Sequence, residues 1–415
     1  MEEILNLVNP WWFGKSVNTG ISRPGYLSRL QAGLKHRRAV LLVGSRRVGK
    51  TTVFYQFIDR LLKTIPPRQI VYALLDHPLL SSGSLLRLTE LVRSKFLLDR
   101  KTKLYLFFDE VQSVKDWEKQ TKAILDTENV KIFLSGSASS NLILTSPHLT
   151  GRIEKIEMAG LDFGEFIKFK GVKPEETESY KFPRLLEDYL KTGGYPEFVL
   201  NPDPTYFADL VNNILYKDIV LAYGLKNPDL LRDLLLLVAD RSGHQSTFNK
   251  MANILSLKND TVKEYLYYLK NTFLIEELGR FAASRAKKIY AAKKFYLADN
   301  GILFHLTGRV NLGAAAEQTL FRHLKQEYSQ IGFYFENQRE MDFVCGNTGK
   351  PLAWESKYRL GADFDQKLPI YVRAAKDVGA GQLMIVNKDV DKEQKIKGVN
   401  VKYQPLWKTL LAAAD

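Results

Sequence analysis

Short apolar runs recur in the first 140 positions of the chain. The runs "AVLLV" at 39–43 and "LYLFF" at 104–108 have no polar alternation, and "KIFL" at 131–134 is a third run of this kind. Continuous apolar runs of this length are typical of strands that are buried on both faces of a parallel sheet. Between 51 and 62 the apolar positions instead follow helical spacing. The pattern predicts an α/β domain at the N-terminus.

The segment between the first strand and the first helix carries a complete G-x-x-x-x-G-K-[ST] motif. Its glycines allow backbone N–H groups to turn toward phosphate oxygens, and the helix N-terminus adds partial positive charge. Lys50 is expected to reach the β- and γ-phosphates and Thr51 to ligate Mg²⁺. The motif therefore predicts ATP and Mg²⁺ as cofactors. The expected nucleotide-binding residues are Gly44, Ser45, Arg46, Arg47, Val48, Gly49, Lys50, Thr51 and Thr52.

Two acids end the second apolar run. Asp109 and Glu110 follow "LYLFF", and ligands bind at the carboxyl ends of strands in open α/β sheets. We expect Asp109 to hold Mg²⁺, directly or through water, and Glu110 to polarise the attacking water. After the third run, Ser135 or Ser137 is expected to sense the γ-phosphate; a simple turn is the alternative.

The order and spacing of these blocks resemble the prokaryotic ATPases of the AAA+ superfamily that carry a nuclease-like C-terminal domain of unknown function. The resemblance covers nearly the whole chain and rests on "GSRRVGKTT", "LFFDEVQSVKDWEK", "FLSGSASS", "LTGRIEKIEMAGLDFGEF" and "YLKTGGYPEF". It implies that Arg152 is an arginine finger or sensor, with a structural arginine as the alternative. It also implies a base pocket with Arg23 and Tyr26, and a homo-oligomer.

The segment 246–281 predicts helix, turn, helix and strand, which is the winged-helix order. Lysines at the start of its second helix and in the basic stretch that follows are expected to contact DNA phosphates. A winged helix used for packing or protein contacts is the alternative. The expected DNA-contacting residues are Lys258, Lys263, Lys287, Lys288, Lys293 and Lys294.

Charged residues also mark two predicted strands near the C-terminus. Asp342 lies in "EMDFVC", and Glu355 and Lys357 lie in "LAWESKY", after a helix that carries Glu317. This order resembles the restriction-endonuclease-like fold. Under that resemblance Glu317, Asp342 and Glu355 bind Mg²⁺ or Mn²⁺, and Lys357 orients or activates the attacking water, with Glu355 and Lys357 as catalytic residues. The alternatives are charges that edge a sheet, or a domain that keeps the fold without cutting.

Composition narrows the classes of function. The chain has 415 residues and a net charge of +14, which favours polyanionic partners, nucleic acid above all, although such a charge also serves solubility. Its single cysteine excludes an intramolecular disulfide and a multi-cysteine zinc site and favours a cytoplasmic setting. We expect no membrane insertion, because no apolar run is long enough to cross a bilayer.

These observations predict four domains. They are a P-loop ATPase core at 1–160, a helical lid and connector at 161–240, a winged helix at 241–300 and a restriction-endonuclease-like α/β domain at 301–415. The expected function is ATP hydrolysis of the AAA+ type that acts on DNA. The alternative is a nucleotide-switched regulatory or protein-remodelling ATPase whose nuclease-like domain is inactive and serves for docking.

Overall fold

A computed structural model describes residues 1–81, 83–137, 149, 151–173, 178–281, 291–346 and 350–412. The chain forms two compact units. The first contains Met1–Ala159 and Asn271–Phe273, and the second contains Gly160–Lys270 and Leu274–Asp415. The domain boundaries at 240 and 300 stay predictions.

The first unit is built on a five-stranded parallel sheet. Its strands in spatial order are β2 (Ile70–Leu74), β3 (Leu104–Asp109), β4 (Val130–Gly136), β1 (Ala39–Val43) and β5 (Ile153–Glu157). The three strands expected from the apolar runs are present. Because β1, β3 and β4 end at the same edge of the sheet, the residues that follow them lie close together.

Helices accompany this sheet. They are α1 (Glu2–Val8), α2 (Pro24–Gly33), α3 (Lys50–Leu62), α4 (Pro78–Ser81), α5 (Leu85–Phe96) and α6 (Trp117–Thr127). The apolar side of α3 packs on the sheet through aromatic rings: the centroid of Phe57 lies 5.3 Å from that of Phe133. Phe107 and Phe133 stack across neighbouring strands at 4.7 Å, a favourable aromatic arrangement.

The second unit begins with helices. They are α7 (Phe163–Phe169), α8 (Phe182–Thr192), α9 (Pro196–Leu200), α10 (Tyr206–Asn213), a π-helix (Ile214–Val220), α11 (Leu221–Tyr223) and α12 (Pro228–Asp240). Next come α13 (Phe248–Leu255) and α14 (Asn259–Asn271). A small antiparallel sheet has the order β6 (Gln245–Ser246), β8 (Lys293–Leu297) and β7 (Ile275–Leu278).

A six-stranded mixed sheet forms the C-terminal part. Its order is β13 (Lys392–Ile396), β14 (Val399–Pro405), β12 (Gln382–Asn387), β11 (Leu352–Ser356), β10 (Arg339–Cys345) and β9 (Ile331–Glu336). The helices around it are α15 (Asn300–Thr307), α16 (Leu312–Glu327), α17 (Phe364–Asp377) and α18 (Leu406–Leu411).

Residues from both ends of the second unit share one hydrophobic core. Phe166 and Leu186 from the early helices join Phe321, Phe343 and Trp354 around the C-terminal sheet. The early helices are therefore part of the packing of this sheet. In the described part of the chain, no helix combines the length and apolar character needed to span a bilayer.

Candidate functional site

The loop between β1 and α3 has a backbone suited to enclosing an anion. A side chain at Gly44 would place Cβ 2.1 Å from the Met158 carbonyl oxygen, so this position requires glycine. Arg47 and Gly49 have positive φ values of 60° and 97°, which turn the chain sharply before α3 begins at Lys50. Successive N–H groups and the helix N-terminus can therefore face one ligand.

Lys50 is held over this loop. Its Nζ donates to the carbonyl oxygens of Gly44 at 3.0 Å and Ser45 at 2.9 Å. The side chain is buried, and its ammonium lies against the two residues that start the loop. This position places the positive charge where the loop would bind phosphate.

Asp109 is the centre of a hydroxyl cluster at the end of β3. Its Oδ2 accepts from Thr51 Oγ1 at 2.5 Å and from Tyr72 OH at 2.8 Å, and its Oδ1 accepts from Ser135 Oγ. Asp109 is 0% exposed. The Thr51 hydroxyl and the Asp109 carboxylate thus present oxygens to one point, as Mg²⁺ bound through a carboxylate and substrate phosphates requires. Thr51 and Asp109 fit the ion.

Glu110 has a left-handed backbone, with φ of 54°, a conformation that is uncommon for a residue with a side chain. Its Oε2 accepts from Gln112 Nε2 at 2.5 Å and from Ser137 Oγ at 3.3 Å, and Gln112 Nε2 also lies 3.3 Å from Ser137 Oγ. These contacts hold the Glu110 carboxylate against residues that follow β3 and β4.

Arg23 supports the phosphate loop from behind. It is 3% exposed, and its Nη1 donates to the carbonyls of Val48 at 3.0 Å and Ala159 at 3.2 Å. Its guanidinium lies 4.6 Å from the centre of the Tyr26 ring. Burial and these contacts correct the expectation that the Arg23 side chain binds the nucleotide; it positions the loop instead. A nucleotide contact of Tyr26 stays a prediction.

A second charged cluster lies in the C-terminal unit. The register of β10 and β11, with Phe343 opposite Trp354, places Asp342 and Glu355 directly opposite each other and on one face. The Asp342 N–H donates to Glu355 Oε2 at 3.2 Å, and the Ser356 N–H donates to Asp342 Oδ2 at 3.0 Å. Lys357 Nζ lies 2.5 Å from Glu355 Oε1 and 3.7 Å from Asp342 Oδ2.

Lys294 completes this cluster from β8. Its Nζ lies 2.9 Å from Glu340 Oε1, 3.0 Å from Asp342 Oδ1 and 3.4 Å from Glu317 Oε1. Tyr296, two residues along the same strand and therefore on the same face, donates its hydroxyl to Glu317 Oε1 at 2.8 Å. The structure brings together Glu317, Asp342, Glu355 and Lys357, which were predicted to share one site.

Comparisons with known proteins address each part of the chain. Residues 36–167 match a family model described as an AAA domain, and residues 183–312 match a domain of unknown function, DUF8612.

An uncharacterized protein of Methanocaldococcus jannaschii is 27% identical over 395 residues, which cover 89% of this chain and 87% of that protein. One from Haemophilus influenzae is 26% identical over 341 residues, with 78% and 84% covered. A Walker-type ATPase of Pyrococcus abyssi superposes with a TM-score of 0.44 at 16% identity, over 70% of this chain and 97% of that one.

The AAA match spans the phosphate loop, both acids and the parallel sheet that positions them. The N-terminal unit is an AAA-type, P-loop ATPase-like domain. A domain of this type implies nucleotide binding and typically Mg²⁺; the assignment of these roles to the Gly44–Thr51 loop and to Thr51 and Asp109 stays a prediction.

Arg152 lies at the wrong edge of the ATPase-like domain to contact its own nucleotide. Ala39 pairs with Ile153 at the start of the parallel strands β1 and β5, whereas the phosphate loop follows their ends. Arg152, just before β5, is thus separated from the loop by about five strand residues, or roughly 16 Å. It forms an ion pair with Asp126. This position contradicts a catalytic contact of Arg152 with the nucleotide of its own chain. A role of Arg152 in a neighbouring subunit stays a prediction.

The lysines that were expected to contact DNA differ in their exposure to solvent. Lys258 and Lys263 are exposed at the start of α14, as expected, and Lys287 and Lys288 lie outside the described residues. Lys293 and Lys294 are 9% and 1% exposed. The Lys294 ammonium is enclosed by carboxylates of its own unit and cannot reach a DNA backbone, so the assignment of Lys294 to DNA is corrected, whereas a DNA contact of Lys293 stays a prediction.

Burial and neighbouring charges shift the pKa values of the carboxyl groups in the C-terminal cluster. Burial, reinforced by the Asp342 charge, raises the pKa of Glu317 to about 7 and that of Glu355 to about 8. Burial also acts to raise the pKa of Asp342, but Lys294 and Lys357 outweigh it and hold that pKa below its usual range. The negative charge of the cluster is thus concentrated on Asp342.

The expected metal ligands Glu317, Asp342 and Glu355 do not fit a divalent ion in this arrangement. Lys294 lies between Glu317 and Asp342, and both oxygens of Glu355 face N–H donors of Lys357 and Asp342. Among the described residues, no three or more His, Cys, Asp or Glu side chains are grouped so as to hold a metal ion. The expectation that Glu317, Asp342 and Glu355 bind Mg²⁺ or Mn²⁺ stays a prediction.

Sequence reasoning missed several residues at these sites. Tyr72 and Asp76 belong to "IVYALLD", an apolar run that ends in an acid just as "LYLFFD" does, so a signal existed. Burial, followed by the charges of Glu110 and Asp109, raises the pKa of Asp76. Gln112, Glu340 and Lys294 carried no comparable signal, because their partners are distant in the chain or belong to a turn.

Proposed function

We propose that this protein is an ATP hydrolase of the AAA+ type whose nucleotide cycle acts on DNA through a winged helix at 241–300 and a restriction-endonuclease-like C-terminal domain. The observation that carries the ATPase part is the convergence of Thr51, Tyr72 and Ser135 on the buried Asp109, with Glu110 adjacent. This arrangement provides a metal position and a water-orienting carboxylate at one edge of the sheet.

Each residue of the ATPase-like domain has a separate task. Loop N–H groups and Lys50 balance the charge of the β- and γ-phosphates, and Glu110, fixed by Gln112 and Ser137, orients the attacking water. Mg²⁺, when bound by Thr51 and Asp109, supplies further neutralisation of phosphate charge. Arg23 keeps the loop in its binding conformation.

The DNA part rests on helix α14 and the charge of the chain. Lys258, just before α14, and Lys263, early in α14, are exposed, at the end of a recognition helix that approaches base edges. The helices α13 and α14 are followed by antiparallel strands, and the chain carries a net charge of +14. These features support a winged helix that contacts DNA phosphates.

A regulatory or remodelling ATPase is the second candidate. It is favoured by the C-terminal cluster, where Lys294 and Lys357 pair with the carboxylates that a metal-dependent nuclease would use. In this case the C-terminal domain serves for docking and does not cut.

One experiment separates the two functions. The ATPase rate of the full chain is measured without DNA and with single-stranded, duplex or branched DNA, with Lys50→Ala as the inactive control. Under our proposal at least one DNA raises the rate, and the effect declines with salt because phosphate contacts release counterions. A measurable rate that no DNA changes would favour the regulatory function. No ATP hydrolysis above Lys50→Ala would overturn the ATPase.

A further inference from the structure

The ammonium of Lys294 has as many acceptors as it has hydrogens. A lysine ammonium carries three N–H donors, and three carboxylates from α16 and β10 lie 2.9, 3.0 and 3.4 Å from its nitrogen. The side chain is 2% exposed. The charged group is thus enclosed by oxygens, as a bound cation would be.

We propose that Lys294 is a built-in cation, which occupies the position that a divalent ion would take among Glu317, Glu340 and Asp342, so that the C-terminal domain keeps these carboxylates together without metal. The inference concerns the second unit alone and is independent of ATP hydrolysis. Its chemical consequence is that the cluster neither binds Mg²⁺ or Mn²⁺ nor supports metal-dependent cleavage.

Both oxygens of Asp342 already face donors. Asp342 Oδ1 faces Lys294, and Asp342 Oδ2 accepts from the Ser356 N–H and lies near Lys357. A divalent ion would bind these oxygens directly and would repel the ammonium already there. It could therefore enter only if Lys294 left.

The position of Lys294 is fixed by the sheet that carries it. Gln245 and Leu278 pair with Lys294 from the two neighbouring strands, so the backbone cannot withdraw without breaking the sheet. If the side chain alone rotated away, the buried Asp342 would lose its nearest counter-charge, which is strongly unfavourable. The strand β8 thus delivers the cation and retains it.

The test is Mn²⁺ binding to the full chain without nucleotide, measured by electron paramagnetic resonance. Asp109→Asn is present throughout, so that the ATP site takes up no metal. In this background we expect no binding that depends on Asp342, up to about 1 mM, the range of weak oxygen-ligand sites. Lys294→Met keeps the length of the side chain but removes the charge. When it is added, we expect a new site that binds Mn²⁺ at least about tenfold more tightly than the limit of about 1 mM.

Further variants make each result decisive. The new site should disappear when Asp342→Asn is added, and Lys270→Met, which removes a lysine paired with Glu277 at 2.6 Å in the same unit, should create none. Mn²⁺ binding with Lys294 intact that is lost in Asp342→Asn would overturn the inference. A folded Lys294→Met protein that binds no Mn²⁺ would also overturn it. If Lys294→Met does not fold, Mn²⁺ binding is compared only between the proteins that retain Lys294, with and without Asp342→Asn. Binding that depends on Asp342 contradicts the inference, and the absence of such binding supports it.

Discussion

Thr51 and Asp109 are 58 residues apart, yet the Thr51 hydroxyl donates to the Asp109 carboxylate at 2.5 Å. One residue ends the phosphate loop and the other ends β3, with β4 between β3 and β1. The contact therefore depends on the order of the parallel strands. It joins the loop that is expected to bind phosphate to the acids that are expected to serve metal and water.

Glu110→Gln should separate ATP binding from ATP hydrolysis. The amide keeps the size of the side chain but cannot polarise water as a carboxylate does, so we expect ATP binding to persist and turnover to fall by at least about 100-fold. Binding is measured with a fluorescent ATP analogue and turnover by phosphate release. Glu90→Gln, an exposed acid on α5, is the matched control. Turnover like that of the wild type in Glu110→Gln would remove this residue from the mechanism.

Lys258→Ala together with Lys263→Ala should weaken DNA binding through its electrostatic part. Each lost phosphate contact is expected to reduce the slope of log affinity against log salt by about 0.9 on duplex DNA. Fluorescence anisotropy at several salt concentrations measures the slope. Lys408→Ala, which removes one positive charge from an exposed lysine paired with Asp391, is the control for charge lost elsewhere. Equal slopes in the wild type and the double variant would place DNA on another surface.

Gly193→Ala should destabilise the second unit. Gly193 has φ of 76° and ψ of −166°, a region that residues other than glycine occupy at a cost of about 1–3 kcal/mol. An added Cβ would also lie within 2 Å of Asp299 Oδ1, and Asp299 accepts from the Gly194 and Gly301 N–H groups. We expect the free energy of unfolding to fall by at least about 2 kcal/mol in urea titrations, since both effects act together.

Gly308→Ala is the control for this substitution. Gly308 also has a positive φ, of 63°, but an added Cβ would meet nothing within 4 Å. We expect a loss of about 1 kcal/mol there, from the backbone alone. Equal losses at both positions would show that the contact with Asp299 contributes nothing.

The pH dependence of stability should reveal the buried Glu355. Its pKa is raised to about 8, whereas a glutamate in an unfolded chain titrates near about 4.3. The folded state thus favours the protonated form, and the resulting stability is present in full below the unfolded pKa and is lost as pH rises through about 8. We expect the urea concentration at the midpoint of unfolding, measured without divalent ions, to decrease as the pH is raised from about 5 to about 8.

Glu355→Gln should flatten this decline, because the amide does not titrate. Glu393→Gln, which changes an exposed glutamate on β13, should leave the decline unchanged. A Glu355→Gln variant with the same pH dependence as the wild type would show that the carboxyl group is not protonated on folding.

The sequence by itself determined the nucleotide-binding element. The strand at 39–43, the Gly44–Thr51 loop and the helix after it are consecutive, so backbone preference, glycine placement and apolar spacing together specify their local structure. The pair Asp109 and Glu110 was evident for the same reason, since an apolar strand leads directly into it. The prediction that Glu355 and Lys357 point to one face followed from strand alternation, whereas the placement of Asp342 opposite Glu355 depends on the register of β10 and β11.

Only the tertiary structure shows that Lys294 is the cation beside those carboxylates. It also shows at which edge of the parallel sheet Arg152 lies. Lys294 stands in a basic stretch that indicates a solvent-exposed wing, but pairing with Gln245 and Leu278 turns its side chain toward Asp342, which is 48 residues away. Arg152 follows an expected phosphate-sensing segment, but parallel pairing of β5 with β1 places it at the opposite edge. Local sequence specifies which residues can form a strand, whereas the neighbours of that strand depend on long-range packing and register, for which a single sequence carries little local signal.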